Sequence, residues 1–434
     1  MSQIINGDCI EELKKLESNS VDAVVTDPPY GLEFMGKDWD KFKRGENIGG
    51  GTVKDKSIIF GRMCGKAPAF YKLDTNAFQD FCFNWAKEAL RVLKPGGHLL
   101  SFGGSRTYHR MACAIEDAGF EIRDQIMWVY GSGFPKSHNI GKAVDKLQGN
   151  ERELLRAEKE PLRTGDVISF DQRSSSSREL TKGSSAWEGY GTALKPAHEP
   201  IVLARKPLSE KTVALNVLKW GVGGLNIDGC RVGTEVLSAH SSGKNALMGG
   251  LSDKNEQGGV VTPERTGRFP ANFIHDGSQE VLDLFPNTKA NDSKRNRKVL
   301  GSFGMPNDET PEYNDSGSAA RYFYCAKASK KERNRGLNKE EEITDDGRKK
   351  KIDNPYLRGK TLRKNNHPTV KPIALMKYLV KLVTKQGQVV LDPFLGSGTT
   401  GIACKELNRE FIGIEKEPEY IEIAKARING KRRI

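Results

Sequence analysis

Short apolar runs alternate with amphipathic stretches over the first 130 residues. Ile4 and Ile5 mark a short strand, and Asp8 then opens a helix with Ile10, Leu13 and Leu16 on one face. Val21–Thr26 (Val-Asp-Ala-Val-Val-Thr) is β-branched and nearly continuous, the pattern of a buried strand, and it stops at Asp27-Pro28-Pro29. Phe78–Leu93 predicts a helix, with Lys94-Pro95-Gly96-Gly97 as its stop and turn. A strand at His98–Phe102, a helix from Thr107 to Gly119 and a strand at Ile126–Tyr130 should follow. The alternation returns near the other end: helix Ile373–Val383, strand Gln388–Leu391, helix Thr399–Leu407, strand Phe411–Glu415 and helix Pro418–Ile428. Strand and helix in turn predict an α/β sheet.

Between these blocks the periodicity fades. Residues 35–68 are glycine-rich and irregular, and residues 165–195 are rich in serine and glycine, with a run at Ser174–Ser177. Pro200–Ala204 resumes a strand pattern, after which residues 206–365 carry short polar pieces with many Gly, Asn, Ser and Arg. The pattern divides the chain into 1–205, 206–365 and 366–434, two α/β blocks flanking an insert. Hydrophobic residues are 36% of the 434 and glycine adds 46 more, which is too apolar for wholesale disorder. The net charge of +13 is unevenly spread: Lys289–Lys364 holds 20 basic and 12 acidic residues. That surplus suits a polyanionic partner, or simply a solvated face. The seven cysteines are scattered with no C-x-x-C pair, which points to reduced thiols, and no metal is expected. No apolar run approaches ~18 residues and no leader pattern opens the chain, so a cytoplasmic protein away from membranes is expected.

Two segments carry chemistry. In Val389-Val390-Leu391-Asp392-Pro393-Phe394-Leu395-Gly396-Ser397-Gly398-Thr399-Thr400 a buried strand runs into a glycine turn that opens a helix. Backbone amides approach a ligand closely at such a turn, and the helix N-terminus favours negative groups. No lysine follows the glycines, which argues against a nucleotide phosphate loop. Asp392 suits a cationic group, Thr399 and Thr400 a carboxylate, and Glu415 at the end of the next strand a pair of ribose hydroxyls. Ribose, ammonium and carboxylate together fit S-adenosylmethionine better than a dinucleotide; a plain strand-to-helix turn is the bland alternative. The second segment is Asp27-Pro28-Pro29-Tyr30, where two prolines end a strand in a rigid turn. Its carboxylate and free carbonyls suit a planar amino group, and Tyr30 offers a stacking face.

Together these motifs resemble the amino-methylating DNA methyltransferases in their permuted (beta) order and Asp-Pro-Pro-Tyr type, and are similar to phage and prophage adenine-specific methylases. His367-Pro368-Thr369-Val370-Lys371-Pro372, Phe411-Ile412-Gly413-Ile414-Glu415 and Asn6-Gly7-Asp8-Cys9-Ile10 extend the match. The resemblance implies a doubly wound Rossmann-like methyltransferase fold, circularly permuted, with 206–365 as the inserted target-recognition region. It implies S-adenosylmethionine as cofactor, held by Asp8, Thr369, Lys371, Asp392, Pro393, Phe394, Gly396, Ser397, Gly398, Thr399, Thr400 and Glu415. Asp8 would reach the cofactor's adenine, Phe394 would pack on it, and Thr369 and Lys371 would close its methionine end. Asp8 also reads as a helix N-cap, with Glu11 completing a capping box.

The resemblance implies that catalysis falls to Asp27, Pro28, Pro29 and Tyr30, on an adenine flipped out of double-stranded DNA. Lys136, Lys294, Arg295 and Arg297 are the candidate DNA contacts, and a restriction-modification setting is implied. An N4-cytosine methylase is the alternative, ahead of an RNA or protein methyltransferase or a non-catalytic DNA-binding module; a homodimer is left open. The permuted order also predicts that strands Gln388–Leu391 and Val21–Thr26 are neighbours at the switch point of the sheet, which would set Asp27 beside Asp392. The long inserts at 35–68 and 165–195 depart from the family pattern.

Overall fold

The computed structural model describes residues 2–32, 75–131, 133, 137–159, 177–237, 240–242, 253–254, 260–262, 264–289, 316–326, 329–337, 341–342, 362–363, 365, 367 and 369–430. Among them one large sheet is built from β1 (Gln3–Asn6), β2 (Val21–Thr26), β3 (Leu93–Phe102), β4 (Glu121–Val129), β5 (His198–Arg205), β6 (Phe273–His275), β7 (Tyr324–Cys325), β8 (Val389–Asp392) and β9 (Glu410–Glu415). Their order across the sheet is β1-β9-β8-β2-β3-β5-β4-β6-β7. Neighbours run parallel except at β5, which is antiparallel to both β3 and β4. This is a doubly wound, Rossmann-like sheet.

The longer helices, apart from single turns at Gln279–Leu282 and Lys330–Arg333, are α1 (Cys9–Lys15), α2 (Thr75–Val92), α3 (Tyr108–Asp117), α4 (Ile140–Gln148), α5 (Val213–Trp220), α6 (Ile373–Val383), α7 (Thr399–Glu406) and α8 (Pro418–Asn429). Leu13, Trp85, Ala89, Met111 and Ile115 of α1–α3 pack on one face of the sheet against Val21, Val24, Leu99 and Leu391. Leu375, Leu379, Ile402 and Ala424 of α6–α8 pack on the other against Ala23, Val25, Leu100 and Val390. A strand covered on both faces has no solvent side, which is why all six residues of β2 are buried and the run lacks alternation.

From β8 the chain steps through α7 to β9 on one side, while from β2 it continues to β3 on the other. The order reverses between β8 and β2, where ligands bind in doubly wound sheets. The two strands pair in parallel there, Val390 opposite Ala23 and Leu391 opposite Val24, as the permuted order predicts.

Some elements differ from the sequence expectation. The first long helix starts at Thr75, and β3 begins at Leu93, so Lys94-Pro95-Gly96-Gly97 lies within the strand. Gly96, at φ +82°, absorbs the irregularity between the Val21–Leu93 and Ala23–His98 pairs. Residues 206–365 supply β6, β7 and α5 and are tied into the large sheet through them. Strands of three and two residues show no period in a sequence. The insert at 35–68, residues 165–176 of the serine-rich stretch, and Lys136, Lys294, Arg295 and Arg297 lie outside the described residues. Beyond them, Ser177–Lys182 pairs antiparallel with Glu153–Lys159, two strands to which the sequence pattern gave no assignment. Among the described residues no helix is long and apolar enough to cross a membrane.

Candidate active site

The two chemical segments leave the sheet side by side. Thr26, the last residue of β2, donates its hydroxyl to Asp392 Oδ1 at 2.6 Å, and Thr400 at the start of α7 donates to Asp392 Oδ2 at 2.6 Å. The Phe394 amide adds a bond to Oδ1 at 3.1 Å. Burial pushes the Asp392 carboxyl up to about 6, against the pull of these donors. The sequence pattern suggests a cationic partner for Asp392; here both its oxygens are bonded to protein groups, and they lock β2 to the turn after β8.

Within that turn Gly396 and Gly398 adopt φ of +51° and +79°. A Cβ on Gly396 would stand 2.7 Å from His367 Nε2, and one on Gly398 would stand 2.9 Å from the Ala424 Cβ. Glycine is thus required both by conformation and by space. The Gly396 amide donates to Glu415 Oε2 at 2.8 Å and the Glu417 amide to Oε1 at 2.8 Å, which fixes the carboxylate at the end of β9. Burial raises the Glu415 pKa. Arg427, fully buried on α8, donates from Nη1 to the Ser397 carbonyl (2.5 Å), the Ser397 hydroxyl (2.8 Å) and Thr399 Oγ1 (3.1 Å). Phe394 lies edge-on to Trp85 and tilted to Phe81, with centroids at 5.7 and 5.9 Å. Asp8 caps α1, its Oδ1 accepting from the Ile10 amide at 3.0 Å and the Glu11 amide at 3.5 Å. Glu11 does not close the capping box; its carboxylate takes Lys14 at 2.8 Å.

On the other side of β8, Asp27 and Tyr30 form a dense polar group with Lys371 and Glu199. Tyr30 Oη lies 2.8 Å from Asp27 Oδ1 and 3.0 Å from Glu199 Oε2. Lys371 Nζ donates to Asp27 Oδ2 at 2.7 Å and to Tyr30 Oη at 3.2 Å, and stands 3.1 Å from Glu199 Oε2. Burial opposes a charged Lys371, yet Asp27 and Glu199 hold its pKa above the ordinary lysine value. Burial, then the same two carboxylates, raises the Tyr30 pKa well above that of a free phenol. The Tyr30 carbonyl is fixed by Thr107 Oγ1 at 2.7 Å. Lys371, which the family resemblance puts at the methionine end of the cofactor, lines the same cavity and bonds Asp27, Tyr30 and Glu199 there.

Both groups line one cavity of about 960 Å³. Asp8, Asp27, Pro28, Pro29, Tyr30, Thr369, Lys371, Asp392, Pro393, Phe394, Gly396, Ser397, Thr399, Thr400 and Glu415 all reach it, whereas Gly398 does not. Two members of the site escape the sequence motifs. Glu199 left one sequence signal, an acid directly before the apolar run Pro200–Ala204, and Arg427 another, a lone cation on the apolar face of α8. His367, matched in the sequence but given no role, packs edge-on to Tyr420 with centroids 4.6 Å apart. Its Nδ1 lies 2.8 Å from the Thr369 carbonyl, and burial pushes its pKa down to about 4.

A doubly wound sheet with one reversed strand, and a cavity across its switch point, define the methyltransferase class. The chain belongs to the DNA methylase family of N6-adenine and N4-cytosine methyltransferases, whose model matches residues 21–426. It is 26% identical over 433 residues to the Type II methyltransferase M.HindIII of Haemophilus influenzae, covering 98% of this chain and 94% of that one. Over 63 residues it is 51% identical to the Type II methyltransferase M2.LlaDCHI of Lactococcus lactis subsp. cremoris, covering 14% of this chain and 23% of that protein. Among solved structures, the M1.HpyAVI–SAM complex aligns over 99% of this chain and 100% of its own at 19% identity, with a TM-score of 0.38.

The cofactor of this DNA methyltransferase is S-adenosylmethionine, and the residues present fit it. The cavity has the size of a cofactor site, the glycine turn leaves no room for side chains, and Glu415 is held with its carboxylate at the cavity wall.

Proposed function

We propose that this chain methylates the exocyclic amine N6 of adenine, at a specific sequence in double-stranded DNA, on a base turned out of the helix. The observation that carries this reading is that Asp27 and Tyr30 open into the same cavity as the Asp392–Thr400 turn. S-adenosylmethionine, when bound, supplies an electrophilic methyl group. Asp8 and Glu415 would hold its adenosine end and the turn through Pro393, Gly396, Ser397, Thr399 and Thr400 the remainder, with Phe394 and Thr369 along the wall.

Asp27 and the Pro28 carbonyl take the two hydrogens of the target amine. That arrangement aims the nitrogen lone pair into the cavity and stabilises the positive charge that grows on nitrogen as its new bond to carbon forms. The bond from that carbon to the sulfonium sulfur breaks as the new one forms, leaving a neutral thioether, and the nitrogen then gives up one of its protons to solvent water. Pro29 keeps the turn rigid, and Tyr30 provides a ring for the flipped base, a contact of roughly 1–3 kcal/mol. Aspartate before Pro-Pro-Tyr favours adenine over cytosine, and the full-length similarity to a Type II methyltransferase favours a sequence-specific enzyme. We assign phosphate contacts to Lys136, Lys294, Arg295 and Arg297, the last three within a recognition segment spanning 206–365.

Incubation with labelled S-adenosylmethionine and duplex DNA, followed by nuclease digestion, should release 6-methyladenine. Label confined to 4-methylcytosine would overturn the adenine assignment, and label absent from DNA would overturn the reading as a whole.

A further inference from the structure

Tyr30 carries one phenolic proton and has two carboxylates within reach of it, Asp27 Oδ1 at 2.8 Å and Glu199 Oε2 at 3.0 Å. The phenol oxygen already accepts from Lys371 at 3.2 Å, so its proton points outward to one carboxylate or the other. Lys371 in turn spans Asp27, Glu199 and Tyr30, which spends all three of its hydrogens within the group. When the proton lies on Asp27, both oxygens of that carboxylate are engaged, Oδ1 by the phenol and Oδ2 by the ammonium. An incoming amine then meets an acceptor already weakened by another donor. When the proton lies on Glu199, Oδ1 is open.

We propose that Glu199 is a positioning residue that draws the Tyr30 proton away from Asp27, so that Asp27 Oδ1 is available to the target amine. The inference rests on the assignment of Asp27 as the acceptor of the amine hydrogen. Glu199 suits the task by position: it lies near the start of β5, the reversed strand beside β3, and its carboxylate reaches the cavity. Lys371 keeps the two carboxylates together without separating the phenol from either. No covalent step is involved; one hydrogen bond is exchanged for another.

This role separates from a purely structural one because it acts through the phenolic hydroxyl. Glu199→Ala is expected to lower kcat/KM for DNA by about tenfold in the native sequence, the worth of one charge-assisted hydrogen bond. In a Tyr30→Phe background, where no phenolic proton competes, the same substitution should lower it less than about twofold. Glu199→Gln, isosteric and a weaker acceptor, should repeat the pattern with a smaller loss and guards against an Ala variant that fails to fold. The affinity for S-adenosylmethionine, read by calorimetry, should stay unchanged in every variant. Equal losses in both backgrounds would overturn the proposal, and so would complete loss of transfer in Tyr30→Phe, since the hydroxyl would then be needed by the chemistry itself. A wild-type protein that methylates no DNA amine would instead overturn the function proposed above.

Discussion

Asp27 sits between a phenol and an ammonium, so its removal disturbs the acceptor side of the cavity and leaves the glycine turn untouched. Asp27→Ala should cut single-turnover methyl transfer by roughly 100-fold or more, the scale of losing a preorganised group that stabilises developing charge. The Kd for S-adenosylmethionine should barely move. Glu415→Ala should show the opposite order, weakening cofactor binding first, because both its oxygens are fixed by amides of the cofactor half. Titration gives a second residue-scale test. Burial holds His367 at about 4, far below the ~6.5 of an exposed imidazole. The unfolded chain therefore takes up a proton that the folded one refuses, and this contribution to stability, present above ~6.5, is lost as pH falls toward 4. His98, also pushed down to about 4 by burial, adds to that slope, while Asp392, raised to about 6, opposes it. Urea midpoints measured across this range should decline less steeply toward acid in His367→Gln than in the wild type.

At the scale of elements, the turn between β8 and α7 is held from α8 by the guanidinium of Arg427. Arg427→Lys keeps the charge but cannot hold Ser397 and Thr399 from one nitrogen while another reaches the Glu332 carbonyl, as the guanidinium does. A loss of about tenfold in cofactor affinity is expected, with kcat at saturating cofactor much less affected. Gly398→Ala should be harsher on the fold. Its positive φ and the contact with Ala424 together predict a destabilisation of about 1–3 kcal/mol, seen as a lowered Tm.

Elements of this kind were readable to different degrees. The β-branched run of β2 and the strand-turn-helix at Asp392 are local patterns, so they could be placed by residue number. The switch point followed from the order of the two motifs. The group around Lys371 could not be read in the same way, because Asp27, Tyr30, Glu199 and Lys371 come from three distant segments and no spacing links them. Asp392 was legible as important but not as a staple, since its partner Thr26 looks like any strand-end threonine. β6 and β7 were invisible because three and two residues are too few to show a period, and their place comes from pairing with neighbouring strands.

Over the whole molecule, charge and topology act at longer range. Replacing Lys294, Arg295 and Arg297 with alanine should weaken DNA binding and flatten the dependence of log Kd on log salt by about one for each phosphate no longer neutralised. An unchanged slope would leave those charges with solvation alone. Topology has a different consequence, for how the molecule comes to exist. β2 is synthesised before β8, one of its two neighbours, which lies 366 positions further on, counted from Thr26 to Asp392. Until then a nearly continuous apolar strand has an unpaired edge, and parallel pairing at such separation is slow because the intervening loop must close first. The nascent chain therefore carries an aggregation-prone strand for as long as that interval takes to synthesise. The same bond between Thr26 and Asp392 that lets two distant motifs share one cavity is one that the growing protein cannot make until the whole interval between them has emerged.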